Sequence, residues 1–151
     1  MKDFKDKVLV VTGGSSGIGK AIAREGALRG MKIVINGITK EHVEAAEAEL
    51  KAMGAEVVSQ LADISRLENV QALFDLAMEK FGRVDMLVNN AGVAVSGPIW
   101  EIPVQDIHWI TEVNLMSHLY GMHIFIPQMI RQGTEAVIVN TASTAGLMTS
   151  G

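Results

Sequence analysis

The stretch KVLVVTGGSSGIGKAIA, residues 7–23, decides the fold of this chain of 151 residues. It begins with a short, valine-rich apolar run at residues 7–12, which is typical of a strand buried on both faces. A glycine-rich turn follows at residues 13–19, and the apolar residues after it recur at helical spacing. A strand, a tight turn and a helix in direct succession indicate the first half of a β–α–β unit.

The same alternation of strand and helix patterns continues to residue 140. We predict further strands at residues 32–35, 56–61, 86–89 and 137–140, and helices at residues 18–29, 40–53, 67–81 and 104–132. This alternation predicts a parallel sheet with helices on both faces. The predicted fold class is therefore α/β: a Rossmann-like, doubly wound parallel sheet whose five strands lie in the order 3-2-1-4-5, within a single domain at residues 1–151.

The composition is that of a globular protein, since 48% of the residues are hydrophobic and 20% are charged. A net charge of −4 argues against nucleic acid as a partner. The chain has no cysteine, which excludes disulfides and thiolate chemistry, and its four histidines lack metal-ligand spacing, so no metal site is expected. The sequence contains neither a membrane-spanning apolar stretch nor a signal-peptide core, and we therefore expect a soluble, cytoplasmic protein with no membrane partner.

The glycine-rich turn TGGSSGIG, residues 12–19, lies where a phosphate group is expected to bind. A helix N-terminus offers unpaired N–H groups and a partial positive charge, and glycines allow the backbone to approach a pyrophosphate closely. Gly13, Gly17 and Gly19 are spaced G-x-x-x-G-x-G, which differs from both the G-x-G-x-x-G fingerprint and the P-loop. Ser15 and Ser16 are further donors for phosphate oxygens. The turn predicts a nucleotide site, although any tight strand-to-helix turn can use glycines.

Four motifs occur in an order and spacing that resemble the short-chain dehydrogenase/reductase family. They are TGGSSGIG, NNAG at residues 89–92, Asn114 within VNLMSHLYG, and IVNTASTAG at residues 138–146. The resemblance covers essentially the whole chain and implies a single-domain Rossmann fold. It also implies an enzyme that transfers hydride between NAD(P)(H) and a small-molecule alcohol or ketone substrate.

The resemblance also implies roles for individual residues. The predicted cofactor-binding residues, which include the two serines of the turn, are Gly13, Ser15, Ser16, Gly17, Ile18, Gly19, Ile38, Asp63, Ile64, Asn90, Ala91 and Gly92. Among them, Asp63 resembles the residue that contacts the adenine, and the segment 90–92 resembles the stretch that lines the cofactor. The predicted catalytic residues are Ser143, which resembles the serine that binds the substrate oxygen, and Asn114, which resembles the residue that supports a proton-relay water.

The choice between NAD and NADP depends on the residues that follow the second strand. NAD enzymes commonly place there an acidic residue that binds the ribose hydroxyls, and in this chain that position is Gly37. Many NADP enzymes of the family place an arginine one residue later, where this chain has Ile38. Because the missing acid removes a repulsion against a 2′-phosphate, the sequence favours NADP(H) slightly over NAD(H), and both stay open.

The acid–base pair of the family, a tyrosine and a lysine spaced Y-x-x-x-K, has no match in this sequence. The single tyrosine, Tyr120, is followed four residues later by Ile124, and we interpret it as a packing residue. We therefore expect the chain to be the N-terminal part of a longer enzyme, truncated before this segment and inactive by itself. The alternative is a non-catalytic NADP(H)-binding module.

The predicted helix at residues 104–132 is apolar on several faces, which is typical of a buried helix. Ile107, Leu115, Leu119 and Ile126 lie on these faces. Burial within the chain and burial in a homodimer or homotetramer, which the family resemblance implies, are both consistent with this pattern.

Overall fold

Five parallel strands form the centre of the computed structural model, which describes residues 3–147. The strands are β1 (Val8–Val11), β2 (Lys32–Gly37), β3 (Val57–Leu61), β4 (Met86–Asn89) and β5 (Val137–Asn140). They lie in the order β3-β2-β1-β4-β5, and every neighbouring pair is parallel. The predicted fold class and strand order are confirmed.

Helices cover both faces of this sheet. They are α1 (Gly17–Leu28), α2 (Lys40–Ala52), α3 (Leu67–Phe81), α4 (Val104–Thr111) and α5 (Ser117–Gln132). The first three agree with the predicted helices to within one residue at either end. Between residues 3 and 147, no helix has both the length and the apolar character that a bilayer span needs.

Strand β1 explains why the sheet is covered on both sides. Val8 and Val10 point to one face, where they join a hydrophobic cluster with residues of α3 and α5. Leu9 and Val11 point to the other face and pack with residues of α1 and α2. All four side chains are at most 1% exposed, so a continuous apolar strand is the pattern that a doubly covered parallel sheet requires.

The helix predicted at residues 104–132 begins and ends at these residues in the structure, but it is not one continuous α-helix. A π-helical turn at Glu112–Met116 separates α4 from α5. In this turn the Ser117 N–H donates to the Glu112 carbonyl, five residues back, while the Ser117 hydroxyl donates to the Val113 carbonyl. A single π turn changes the apolar periodicity very little, and for this reason the sequence pattern did not reveal it.

Asp85 ties the amino ends of three strands together. Its buried carboxylate accepts the Val8 N–H at 2.9 Å, and its backbone N–H donates to the Val8 carbonyl at 3.0 Å. The Asp85 carbonyl accepts the Val137 N–H at 2.9 Å, which adds β5 to the junction. Two hydrogen bonds from Arg83 to the carboxylate raise the pKa of the guanidinium above its ordinary value. Lys7 Nζ lies 3.7 Å from the same carboxylate. The buried negative charge of Asp85 is therefore balanced by two cations, Arg83 and Lys7.

We predict that Asp85→Ala lowers the free energy of unfolding by about 2 to 4 kcal/mol, because the Val8 N–H and the Arg83 guanidinium lose their acceptor. Urea denaturation followed by circular dichroism measures this change. Asp75→Ala is the matched control, since Asp75 is exposed on α3 and its loss is expected to cost under about 0.5 kcal/mol. Equal losses in the two variants would contradict the prediction.

Candidate functional site

A cleft of about 730 Å³ opens at the carboxyl ends of the strands, where β1 and β4 lie side by side. The connection that leaves β1 leads to β2 on one side, and the connection that leaves β4 leads to β5 on the other. Ligands of open α/β sheets bind in such a crevice, where the strand order reverses. The cleft is therefore the candidate functional site.

The glycine-rich turn and the start of α1 form one wall of the cleft. Gly13 and Gly17 have φ values of 63° and 50°, a left-handed backbone that other residues rarely adopt. Ser16, the N-cap of α1, makes no side-chain cap hydrogen bond, and the first turn of the helix has no acidic residue. The positive end of the helix thus borders the cleft without an anion from its own first turn, an arrangement that suits a phosphate group.

All of the predicted cofactor-binding residues except Gly19 line this cleft. Gly19 is buried at the start of α1, where a Cβ atom would collide with the Gly13 carbonyl oxygen and lie 2.5 Å from Asn90 Nδ2. The absence of a side chain here allows the helix to pack closely against the turn and against the segment that follows β4. Gly19 contributes to the shape of the site and not to its lining.

Thr12 joins the carboxyl ends of β1 and β4. Its buried hydroxyl oxygen accepts the N–H groups of Asn90 and Ala91, at 2.9 Å and 3.1 Å. The Asn90 side chain also donates a hydrogen bond to the Thr12 carbonyl, at 3.2 Å. His118 Nε2 lies 3.3 Å from the Ala91 carbonyl. The segment 90–92 is therefore held on several sides while it lines the cleft. Neither Thr12 nor His118 was among the predicted site residues.

The end of β3 contributes another wall. Asp63 is exposed, lines the cleft and accepts the Ser65 N–H on its carboxylate at 3.0 Å. Ile64 also lines the cleft, but it is 3% exposed and belongs to the hydrophobic cluster beneath the sheet. An exposed carboxylate next to an apolar floor is suited to a flat ligand with a hydrogen-bond donor on its edge.

At the end of β2, Ser15 occupies the space that a side chain on Gly37 would need. A Cβ atom on Gly37 would collide with the Ser15 hydroxyl and would lie 2.8 Å from both Ser15 Cβ and Val43 Cγ2. The neighbouring Asn36 uses its carboxamide across the sheet, donating at 3.0 Å to the Gln60 side chain and to the Ala62 carbonyl. This edge of the cleft therefore holds no carboxylate, and Ser15 occupies the space next to Gly37.

The two predicted catalytic residues lie outside the lining of the cleft. The Asn114 carboxamide accepts the Val93 N–H and donates to the Val93 carbonyl, both at 2.8 Å, so it fastens the π-helical turn to a cleft-lining residue. Ser143 is exposed and caps a short 3₁₀ turn (Thr144–Gly146), accepting the Ala145 N–H at 3.2 Å. Ser143 follows β5, two residues after Thr141, which does line the cleft.

Several residues that line the cleft were not predicted as site residues; they are Asn36, Gly37, Thr39, His42, Val93, Trp109, Val113 and Thr141. Trp109 and Val113 are four residues apart on a helix that the sequence presents as apolar on several faces. Such a pattern does not indicate which face meets a ligand. Within residues 3–147, no group of three or more His, Asp or Glu side chains is placed to hold a metal ion.

Comparison with known proteins identifies relatives that are dehydrogenases or reductases. The family model described as short chain dehydrogenase matches residues 7–151. A CLA biosynthesis dehydrogenase/reductase from Lactiplantibacillus plantarum is 47% identical over 148 residues, which are 98% of this chain and 52% of the relative. The chain spans about half the length of the curated relatives that it matches.

Solved structures agree with this result. A short chain dehydrogenase/reductase from Burkholderia phymatum in complex with NAD has a TM-score of 0.97 and 43% identity, over 99% of this chain and 53% of that chain. A 7α-hydroxysteroid dehydrogenase complexed with NADH and 7-oxo glycochenodeoxycholic acid has a TM-score of 0.91 and 30% identity, over 98% and 57% of the two chains. Because the family model matches nearly the whole chain, this protein belongs to the short chain dehydrogenase family.

Proposed function

We propose that this protein is an oxidoreductase that transfers hydride between a nicotinamide cofactor and an alcohol or carbonyl substrate, with residues 1–151 as its cofactor-binding domain. The observation that carries the proposal is the N-terminus of α1, which has no side-chain cap and borders the cleft together with the segment 90–92. The turn leaves room for phosphates at Gly17, where nothing lies within 4 Å of a Cβ atom, while Gly13 lets the turn pack closely on the segment 90–92, since a Cβ atom there would lie 3.0 Å from the Ala91 Cα. The NAD and NADH bound to the two solved relatives support the same class of cofactor.

Each part of the cleft has a proposed task. The backbone of the glycine turn and the hydroxyls of Ser15 and Ser16 bind the pyrophosphate. Asp63 accepts a hydrogen bond from the adenine amino group, and the segment 90–92 lines the rest of the cofactor. When bound, the cofactor supplies or accepts the hydride. Ser143 holds the substrate oxygen, and Asn114, whose carboxamide holds the Val93 backbone, supports a proton-relay water.

We place the protein in the cytoplasm, acting on a small-molecule alcohol or ketone. A homodimer or homotetramer formed through residues 104–132 stays a prediction. Leu119, Ile126 and Ile130 are exposed along α5 and are available for such a contact.

A second candidate function is a non-catalytic NADP(H)-binding module, or an inactive fragment of the enzyme. The observation that favours it is the position of Tyr120, which is partly buried and packs against the hydrophobic cluster under β1 and β4. Residue 124, where a Y-x-x-x-K pair would place its lysine, is Ile124. Tyr120 is therefore no acid–base group, and the residues described here supply Ser143 without that partner.

Two measurements on the purified chain separate these functions. Calorimetric titration with NADH and NADPH measures cofactor binding, and a dehydrogenase assay against a panel of alcohols and ketones measures turnover. Binding together with turnover supports the enzyme for this polypeptide. Binding without turnover supports the module or fragment, and the absence of binding would refute both the enzyme and the binding module.

We predict that Gly19→Ala weakens NADH binding at least about tenfold and lowers the free energy of unfolding by about 1 to 3 kcal/mol, because the new methyl group pushes α1 away from Gly13 and Asn90. Calorimetry and urea denaturation measure the two effects. Gly146→Ala is the control, since nothing lies within 4 Å of a Cβ atom there and its φ is not left-handed. Unchanged NADH affinity in Gly19→Ala would show that the packing at this glycine is irrelevant to the site.

We further predict that Ser143→Ala lowers kcat about 100-fold or more in the natural full-length protein, because the substrate oxygen loses a hydrogen-bond donor in the transition state. The dissociation constant of NADH is expected to stay the same. Thr144→Ala, a neighbouring exposed hydroxyl, is the control and is expected to keep its kcat. Equal kcat values in wild type and Ser143→Ala would remove Ser143 from the proposed chemistry.

For the cofactor we propose NADP(H) in preference to NAD(H). Gly37 leaves no carboxylate at the end of β2, and Ser15 occupies the adjacent space. His42 is the one basic side chain that lines the cleft within the described residues, and it stands close in sequence to Thr39, another lining residue. A 2′-phosphate would therefore meet donors and no fixed negative charge from β2, whereas the ribose hydroxyls of NAD(H) would lack their usual acceptor.

We predict that the double variant Ser15→Ala/Gly37→Asp shifts the ratio of the NADPH to the NADH dissociation constant by at least about tenfold toward NADH. The new carboxylate repels the 2′-phosphate. Ser15→Ala removes the hydroxyl, which is the atom nearest to the new Cβ, and small shifts of the side chains at residue 15 and Val43, whose carbons would lie 2.8 Å away, accommodate the rest. Calorimetry with both cofactors measures the ratio, and Ser15→Ala alone is the control that keeps the wild-type preference. A wild-type chain that binds NADH more tightly than NADPH would contradict the proposed preference.

A further inference from the structure

Besides Ile18 at the start of α1, two large apolar side chains stand exposed within the cleft. Ile38 is 66% exposed and Trp109 is 38% exposed, and both line the cavity. Ile38 follows β2, whereas Trp109 belongs to the connection after β4, so the two side chains reach the cleft from opposite sides of the β1–β4 junction. Exposed apolar surface inside a concave site indicates a face that a ligand covers.

Trp109 is not a core residue. No residue of α4 is buried, so the indole does not belong to the packing that supports the sheet. Val113 follows four residues later, is 5% exposed and lines the same cleft, which places both side chains on one helical face. The paired hydrogen bonds between Asn114 and Val93 hold this face against the cleft wall.

The neighbours of Ile38 in the cleft indicate which part of a dinucleotide lies here. Phosphates belong at the N-terminus of α1, next to Gly17. From there the cleft extends along the ends of β2 and β3, where Asp63 offers an exposed carboxylate and Ile64 an apolar surface. A purine with an exocyclic amino group matches this end, because its edge donates a hydrogen bond and its faces are apolar.

We propose that Trp109 stacks on the adenine of the bound cofactor and forms, with Ile38 on the other side, an apolar sandwich for the base. The inference rests on the proposed function, because it names a binding residue of the same site. Stacking on an aromatic side chain uses the face of the base and not its ribose. The indole therefore contributes equally to the binding of NADH and NADPH, which differ only at the ribose 2′ position.

The chain has two tryptophans, and this supplies both a reporter and a control. Trp100 is 81% exposed and does not line the cleft. In Trp100→Phe, the tryptophan fluorescence, excited at a wavelength that Tyr120 does not absorb, comes from Trp109 alone. We expect adenosine monophosphate to quench this fluorescence in a saturable way, and nicotinamide mononucleotide to leave it unchanged.

Calorimetry with adenosine monophosphate, NADH and NADPH completes the test. Trp109→Ala is expected to weaken all three ligands about 5- to 100-fold, and Trp109→Phe less than Trp109→Ala, because stacking on a base scales with the aromatic surface. Trp100→Ala is expected to bind like the wild type. Far-UV circular dichroism verifies that each variant is folded, and Trp109→Phe keeps the test decisive if Trp109→Ala does not fold.

The outcomes separate this inference from the proposed function. If the wild type binds NADH and a folded Trp109→Ala binds it with the same affinity, the stacking alone is overturned. If Trp109→Ala does not fold, the same conclusion follows from unchanged NADH affinity in Trp109→Phe together with unquenched fluorescence in Trp100→Phe. Quenching by nicotinamide mononucleotide and not by adenosine monophosphate would also overturn it, since the indole would then lie at the other end of the cofactor. A wild-type chain that binds none of the three adenine nucleotides would refute the proposed function and this inference together.

Discussion

The hydroxyl oxygen of Thr12 accepts two backbone N–H groups, those of Asn90 and Ala91, and the geometry of the site depends on this contact. Together with the hydrogen bonds from the Thr12 N–H to the Val88 carbonyl and from the Asn90 side chain to the Thr12 carbonyl, it anchors the glycine turn and the segment 90–92 to each other. A buried hydroxyl with two donors is well satisfied in a low dielectric, where the loss of either bond would cost about 1 to 3 kcal/mol. Gly19 adds the packing that this arrangement needs, because a Cβ atom there would reach both Gly13 and Asn90.

Much of the fold could be predicted from the sequence because burial on both faces imposes a strong pattern. The run VLVV of β1 is apolar at every position, and each of its residues is almost fully buried, as a doubly covered parallel strand requires. The π-helical turn could not be predicted in this way. It is formed by the bond from the Ser117 N–H to the Glu112 carbonyl and is accompanied by a bond from the Ser117 hydroxyl to Val113 and by two bonds between Asn114 and Val93, and these polar contacts leave no trace in the apolar spacing.

Some residues of the candidate site could likewise be predicted from the sequence, and others could not. Gly13 and Gly17 could be placed from the sequence, because a left-handed backbone in a strand-to-helix turn calls for glycine. Trp109 could not, since a helix that is apolar on several faces gives no sign of which face meets the cleft. The sequence shows that position 37 carries a glycine and not an acidic residue, but it does not show why a side chain is excluded there. Ser15, far away in the chain, occupies the adjacent space, so the two positions are constrained as a pair.

The two ends of the sheet are built for different purposes. At the amino ends, Asp85 holds β1, β4 and β5 together with a buried, charge-balanced junction. At the carboxyl ends the links are neutral: Asn89 donates to Asn140 at 2.8 Å, and a Cβ atom on Gly121 would come 2.5 Å from Asn89 Oδ1, so α5 can pack there only through a glycine. The charged Asp85 junction thus lies at the opposite end of the sheet from the cleft, and among the described residues that line the cleft the one carboxylate is that of the exposed Asp63. The strand β5, which leads to Ser143, is held at both ends: the Asp85 carbonyl accepts the Val137 N–H where the strand begins, and Asn89 bonds to the Asn140 side chain and to the Thr141 N–H where the strand ends.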